Sequence, residues 1–366
     1  MMVRNNLQEI RKRRGVPAAE LARRVGVSRQ TIYAIEDGRF VPNTTVSLQL
    51  SRALQVTVEE IFSLCEEEMT DSISADLLST APVSEEQPVQ LCRVNRRLVA
   101  VPAVVLPAYL PQSDAVVESQ RKLSVQIKPS AALPQEGTRL LVAGCDPALA
   151  LLHDALQRSG TGIVAVPVAS RRAVEWLKQG RVHAAGTHLV DRATGEYNVP
   201  IIRRTFSKSA VKVITFAAWE QGLVIRRGNP NGIRSVADLA GNRLTIVNRE
   251  KGSGSRDLLE SSLRKFRIPV QEVAGYDRVA PGHLAAAYAV KSGNADCCVA
   301  TRSAARCFGL DFIPLAVERF DLTFTKASFE LHATRVLMDT LQHVQFRKKL
   351  ASIAGYDTAH TGEALL

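Results

Sequence analysis

The run Gly252-Ser-Gly-Ser-Arg256 sets two hydroxyls, a guanidinium and glycine backbone NH groups between a short apolar strand and a helix. That combination suits an anion, because the unpaired NH groups of a helix N-terminus carry partial positive charge and a guanidinium strengthens their hydrogen bonding. Ser253, Gly254, Ser255 and Arg256 therefore read as one wall of an anion cradle. The run lacks the Gly-Lys-Ser/Thr ending of a P-loop, so nucleoside triphosphate hydrolysis is not indicated. Three other apolar runs end in polar groups that could face the cradle: Cys145 and Asp146 after Arg139–Ala143, Thr187 and His188 after Ala184–Gly186, and Thr301 after Asp296–Ala300. Asp146-Pro147 reads equally well as an ordinary helix start, and His188 as a packed ring. No set of nucleophile, base and orienter stands out. His183 and His188 lack metal-ligand spacing and have no cysteine cluster beside them, so no metal and no cofactor other than a bound oxyanion is expected.

A second group of polar residues lies near the start. Ala18 to Arg39 reads as two short helices meeting at a turn on Gly26. Leu21, Ala22 and Val25 fall on one face, Ile32 and Ile35 on another, so both helices have an apolar side to bury. Ser28 is placed to cap the second helix, and Arg29, Gln30, Thr31 and Tyr33 occupy its outward first turns. Those positions suit reading bases, and Arg39, just past Gly38, suits a phosphate. Leu7 and Ile10 begin an apolar pattern that continues through Leu48, Leu50, Leu54 and Ile61, with Thr57 and Glu60 spaced as a capping box. Glu36 is expected to pair with a helix-one arginine such as Arg11. The 366-residue chain carries a formal charge of +11, which favours a polyanionic partner. Its six cysteines show no CxxC pairing, and reduced thiols in a cytoplasm fit best. The longest apolar run, Leu98 to Leu110, is broken by Pro102 and Pro107, and no membrane span is expected.

The intervening composition suggests boundaries. Residues 1–65 form an all-α domain of five helices; residues 66–87, acidic and Ser-rich, read as a linker. Residues 88–131 hold short β-like runs, among them Val89–Val94, Arg97–Val101 and Ser124–Ile127, and read as a small β-rich module. From 138 to 366 strands and helices alternate, which argues for parallel sheet flanked by helices, with ligands bound beyond the strands' carboxyl ends.

Ala22, Gly26 and Ile32, with the exit Glu36-Asp-Gly-Arg-Phe-Val-Pro42, resemble the helix-turn-helix of the phage-repressor-like (XRE) family over Asn5 to Phe62. Ala184–Asp191 with Thr194–Asn198, Trp219–Val224 with Gly228-Asn-Pro230, Val247–Arg256, and Gly309–Leu315 with Glu318–Asp321 resemble the periplasmic-binding-protein-like domain found fused to regulators and to molybdenum-cofactor proteins. This second resemblance implies a bilobed type-II fold with crossing strands near Val211–Phe216 and Arg319–Thr323. Pro281-Gly282 before His283 departs from the family pattern, so the resemblance implies no ligand contacts at that loop.

The expected protein is thus multidomain, an all-α helix-turn-helix domain and an α/β bilobed domain with a β-rich module between. Its expected role is that of a cytoplasmic regulator, not an enzyme, that binds double-stranded DNA as a homodimer and senses a small anion. The resemblance points to molybdate, tungstate or a molybdenum-cofactor-related molecule. The rival readings are an enzyme or accessory protein of cofactor maturation using the cleft, and a DNA-binding scaffold whose second domain holds no ligand.

Overall fold

A computed structural model describes residues 3–38, 40–64, 72–104, 110–130, 132–207 and 210–366. The chain divides into two units, residues 1–71 and 72–366.

In the first unit the apolar pattern closes a small helical core. β1 (Val3–Asn5) pairs antiparallel with β2 (Phe62–Leu64), and between them run α1 (Leu7–Arg13), α2 (Ala18–Val25), α3 (Arg29–Glu36), α4 (Thr44–Leu54) and α5 (Val58–Ile61). Leu7, Leu21, Ile32, Ile35, Leu50 and Ile61 are fully buried together. α2 ends on Gly26 at φ 75°, a left-handed conformation that costs glycine nothing and turns the chain sharply into α3. Ser28 Oγ accepts the Thr31 NH at 3.0 Å, and Thr57 and Glu60 form the expected capping box. Arg11 grips Glu36 through two nitrogens, tying α1 to the end of α3.

The second unit begins with a closed barrel of β3 (Ile73–Leu77), β4 (Pro88–Val94), β5 (Arg97–Pro102), β6 (Ala115–Arg121) and β7 (Ser124–Pro129), in the order β3-β5-β4-β6-β7. Two expectations are corrected here. The linker expected over 66–87 includes a barrel strand, Ile73–Leu77, and the β-rich module begins there rather than at 88. The acidic, Ser-rich composition hid a five-residue strand whose Ala75 and Leu77 fill the barrel interior. β4 and β5 are apolar on both faces for a reason. Val89, Leu91, Leu98 and Ala100 point inward, while Cys92, Val94, Val99 and Val101 pack outward against the sheet that follows.

That sheet contains β8 (Arg139–Ala143), β9 (Gly162–Val166), β10 (Ala184–Thr187), β11 (Val211–Ile225), β12 (Ile246–Arg249), β13 (Val279–Ala280), β14 (Cys297–Thr301) and β15 (Asp311–Thr325), with the short β16 (Tyr356–Asp357) on β11. Its order is β13-β12-β14-β11-β15-β10-β8-β9. Its helices are α6 (Leu149–Gln157), α7 (Ser170–Lys178), α8 (Val199–Thr205), α9 (Gly254–Lys265), α10 (Gly282–Lys291), α11 (Arg302–Cys307), α12 (Lys326–Phe329), α13 (His332–Gln342) and α14 (Val344–Ala351). β8, β9 and β10 run parallel as the heart of lobe one, β12, β13 and β14 as that of lobe two. β11 and β15 pair antiparallel along their length and join the lobes, since β15 also pairs with β10 and β11 with β14. These are the two crossing strands, each longer than the segment expected.

Candidate functional site

The carboxyl ends of the parallel strands meet where the lobes face each other. Cys145 and Asp146 follow β8, Thr187 and His188 close β10, Arg249 ends β12, and His283 stands on the first turn of α10; all are buried. The crossing strands supply Trp219, Gln221 and Glu318 to the same place. The lobes are closed over it. The Arg171 NH of lobe one donates to the Gly252 carbonyl of lobe two at 3.3 Å, and Arg171 pairs with Asp257 at 3.1 Å. A Cβ at Gly254 would overlap the His188 carbonyl oxygen and ring, so this glycine lets lobe two approach.

His188 is the hub. Its Nε2 lies 3.1 Å from Cys145 Sγ and its Nδ1 2.6 Å from Glu318 Oε2. Gln221 Nε2 donates to Glu318 and approaches His188 Nδ1 at 3.1 Å, while Gln221 Oε1 accepts from Ser255 Oγ at 2.7 Å. The backbone NH of His188 is held by Ser170 Oγ at 3.2 Å. Burial disfavours the imidazolium, but the Cys145 sulfur and the Glu318 carboxylate outweigh it and raise the ring's pKa to about 10. The loop after β10 is shaped by the Gly-Glu-Tyr-Asn phrase. Asn198 accepts the Leu189 NH at 2.7 Å and donates to Asp321 at 2.8 Å.

Arg249 is 1 % exposed. Its Nε and Nη2 are taken by Glu250, and its Nη1 has no protein partner. Burial opposes its charge, yet Glu250 and Cys145 keep its pKa raised. His283 is fully buried with neither ring nitrogen bonded; burial first, then Arg249, holds its pKa well below the usual value, so the ring is neutral. Thr187 Oγ1, Trp219 Nε1 and Asp146 Oδ2 are also without partners. Asp146 Oδ1 accepts the Ala148 NH at 2.7 Å in the turn before α6 and also accepts the Tyr356 hydroxyl, while burial pushes its carboxyl up to about 7. Unpaired buried polar atoms are costly and uncommon. Several crowded into one closed cleft mark a place for a polar ligand.

The expected residues divide accordingly. Cys145, Asp146, Thr187, His188, Gly254 and Ser255 lie at the closed cleft. Ser253 serves as the cap of α9, accepting the Arg256 NH at 3.3 Å, and Thr301 caps α11. Arg256 points elsewhere: it bonds Glu260 at 3.1 Å and the Arg249 carbonyl at 3.3 Å, and lies over Tyr276. The cation of the cleft is Arg249, seven residues earlier. Two groupings of side chains in the cleft were not anticipated from sequence. Cys145, His188 and Glu318 have the spacing of a nucleophile, base and orienter, and Cys145, His188 and His283 form a three-ligand cluster. The sequence reading missed Arg249, Trp219, Gln221, His283 and Glu318; a charged or amide side chain inside an otherwise apolar strand was the available signal for Arg249, Gln221 and Glu318.

On α3, Arg29, Gln30 and Tyr33 are exposed and Thr31 half-buried. The Arg29 guanidinium reaches the Tyr33 hydroxyl at 2.8 Å, so the two side chains share one surface. Arg39 lies outside the described residues.

A family profile described as a PBP superfamily domain matches residues 153–342. The chain belongs to this superfamily. A helix-turn-helix profile matches residues 7–61, so an XRE-type DNA-binding domain is fused to a periplasmic-binding-protein-like domain. YvgK of Bacillus subtilis (strain 168), itself uncharacterized, is 33% identical over 190 residues, 52% of this chain and 61% of that protein. The chain thus spans somewhat under two thirds of that relative. The uncharacterized HTH-type transcriptional regulator YgzD of Bacillus subtilis (strain 168) is 38% identical over 65 residues, 18% of this chain and 98% of that protein. Among solved structures, the sulfate-binding protein SubI from Mycobacterium tuberculosis H37Rv is similar with a TM-score of 0.45 and 19% identity, covering 60% of this chain and 86% of that one. No helix among the described residues is long and apolar enough to cross a membrane.

Proposed function

We propose that this chain is a ligand-responsive transcriptional regulator whose closed cleft holds a small anion while the helix-turn-helix domain binds operator DNA. The observation that carries the anion is Arg249 Nη1, a charged donor buried in the cleft beside the Cys145 sulfur and with no oxygen acceptor from the protein. Such a group costs several kcal/mol unless an acceptor meets it. Trp219 Nε1 and Thr187 Oγ1 add neutral donors, which suits an oxygen-rich anion such as molybdate or tungstate, or the phosphate of a molybdenum-cofactor-related molecule. The setting is the cytoplasm, and the binding form a homodimer. In a thermal-shift panel of tetrahedral oxyanions, one anion should raise the melting temperature in proportion to RT ln(1 + [L]/Kd). Arg249→Gln should abolish that shift and the accompanying change in operator affinity. A full response in Arg249→Gln would remove this cation from the sensor, and no shift with any anion would favour a scaffold without ligand.

A second reading is supported by Cys145, His188 and Glu318, whose spacing suits nucleophilic chemistry on a bound acyl or phosphoryl compound. Turnover of a candidate compound that is lost in Cys145→Ser would favour it.

A further inference from the structure

We infer that Cys145, His188 and His283 form a binding site for a thiophilic divalent ion of the zinc type. One thiol sulfur and one nitrogen from each ring lie within 4.8 Å of one another, all buried. Zinc–sulfur bonds of about 2.3 Å and zinc–nitrogen bonds of about 2.0 Å set tetrahedral ligand separations of roughly 3.5 Å. The Cys145–His188 pair, at 3.1 Å, already lies near that value, and His283 needs to move by little more than about an ångström.

Two independent observations favour a metal here over simple packing. His283 is fully buried and neither ring nitrogen has a partner, although a buried imidazole ordinarily bonds through at least one. Its low basicity matters less than that geometry: the ring is an unused ligand facing a sulfur and a second ring. His188, in turn, is fixed from behind, since Glu318 Oε2 lies 2.6 Å from Nδ1 and leaves Nε2 directed at Cys145. A carboxylate behind a metal-binding imidazole orients the ring and raises its basicity. One sulfur and two imidazoles suit zinc or cobalt(II) better than magnesium or calcium, which prefer all-oxygen sites.

On binding, the proton shared between Cys145 Sγ and His188 Nε2 leaves to solvent and the ion takes its place, the sulfur binding as thiolate. Arg249 beside the sulfur opposes a bare dication, and the thiolate charge offsets part of that repulsion. Three protein ligands leave one position of a tetrahedral ion open. Cys145 and His188 belong to lobe one and His283 to lobe two, so the ion bridges the cleft and favours the closed lobes.

The test uses the full-length protein, stripped with chelator under reducing conditions and titrated with cobalt(II). The expected result is one ion per chain, an intense thiolate-to-cobalt charge-transfer band, and quenching of tryptophan fluorescence in step, because the Trp219 ring centre lies 5.2 Å from both His188 and His283. Cys145→Ser should remove the band, and His283→Gln should weaken binding at least tenfold while leaving the circular-dichroism spectrum of the folded chain unchanged. Zinc should compete with cobalt and slow alkylation of Cys145 by iodoacetamide. Failure of the folded wild-type protein to take up one cobalt with a thiolate band overturns the site, whatever the variants do. So does a band that persists in Cys145→Ser, which would trace the metal to another thiol. Oxyanion binding measured on the chelator-treated protein tests the anion reading separately, so either can fail alone.

Discussion

At the scale of single residues, identity in the sequence and position in space carry different information. Arg256 was the visible cation of the Gly-Ser-rich run, but its side chain follows its own helix to Glu260 at i+4, a spacing at which helical side chains meet. Arg249 hid at the end of a strand. Its role depends on what faces the strand's carboxyl end, which no local pattern encodes. On α3 the reverse holds, because helical period alone puts Ile32 and Ile35 inward and Arg29, Gln30 and Tyr33 outward. Gln30→Ala should therefore relax preference at particular base pairs by roughly 1 to 3 kcal/mol without uniform loss of affinity; an unchanged binding-site profile would shift the reading face to other residues. Another residue-level consequence concerns acid. His183 is buried with Nδ1 accepting the Leu141 NH at 2.9 Å, and burial lowers its pKa from 6.5 to about 4. The unfolded chain therefore binds the proton before the folded one does, so this ring's effect is nil above about pH 6.5 and destabilising by up to about 3 kcal/mol as pH falls towards 4. Asp146, pushed up to about 7, acts in the opposite sense over that interval, so the contrast with a variant isolates the ring. The melting temperature of His183→Gln should fall less steeply than that of the wild type between these pH values. Parallel curves would assign the acid sensitivity to other groups.

At the scale of elements, the strands and helices were legible wherever period and punctuation agreed. β8 and β14 were each expected within a residue, because runs such as Arg139-Leu-Leu-Val-Ala143 are apolar on both faces, the pattern of a parallel strand covered on both sides. β3 was not, since a short strand completing a barrel takes half its apolar partners from distant segments. The approach of α9 to the loop after β10 was equally hidden. Gly254 read as part of an anion cradle, yet the neighbour that requires its missing Cβ, His188, is 66 residues away in sequence. Gly254→Ala forces that contact apart. The variant should melt below the wild type without ligand, because the closed contact is lost, and should also lose most of the anion-induced shift, because the lobes cannot close fully. A full shift would show that closure does not need this contact.

At the scale of the whole molecule, one recognition helix contacts too few base pairs to select a genomic site, so two copies are expected on half-sites about 34 Å apart. Footprinting should show a two-fold symmetric protection pattern, and a single chain on a single half-site by light scattering would overturn it. A ligand alters that binding only by its preference for one arrangement of the sensor domains, and a coupling of about 1 to 3 kcal/mol corresponds to several-fold to hundredfold changes in operator affinity. The β-barrel is packed onto lobe one, since Cys92, Val94, Val99 and Val101 share a core with β8, β9 and α7. What the sequence determined by itself was therefore local and periodic: five helices with the Ser28 and Thr57 caps and the Gly26 turn, the alternation of strand and helix, and the strand ends at Cys145 and His188. Those features follow from contacts within a few residues, where propensity and spacing suffice. Only the tertiary structure decided which cation faces the cleft, that His283 and Glu318 meet His188, and that the barrel and lobe one are packed together. Each of these depends on residues far apart in the chain brought together by the crossing of β11 and β15, and a linear pattern carries no record of which strand ends converge.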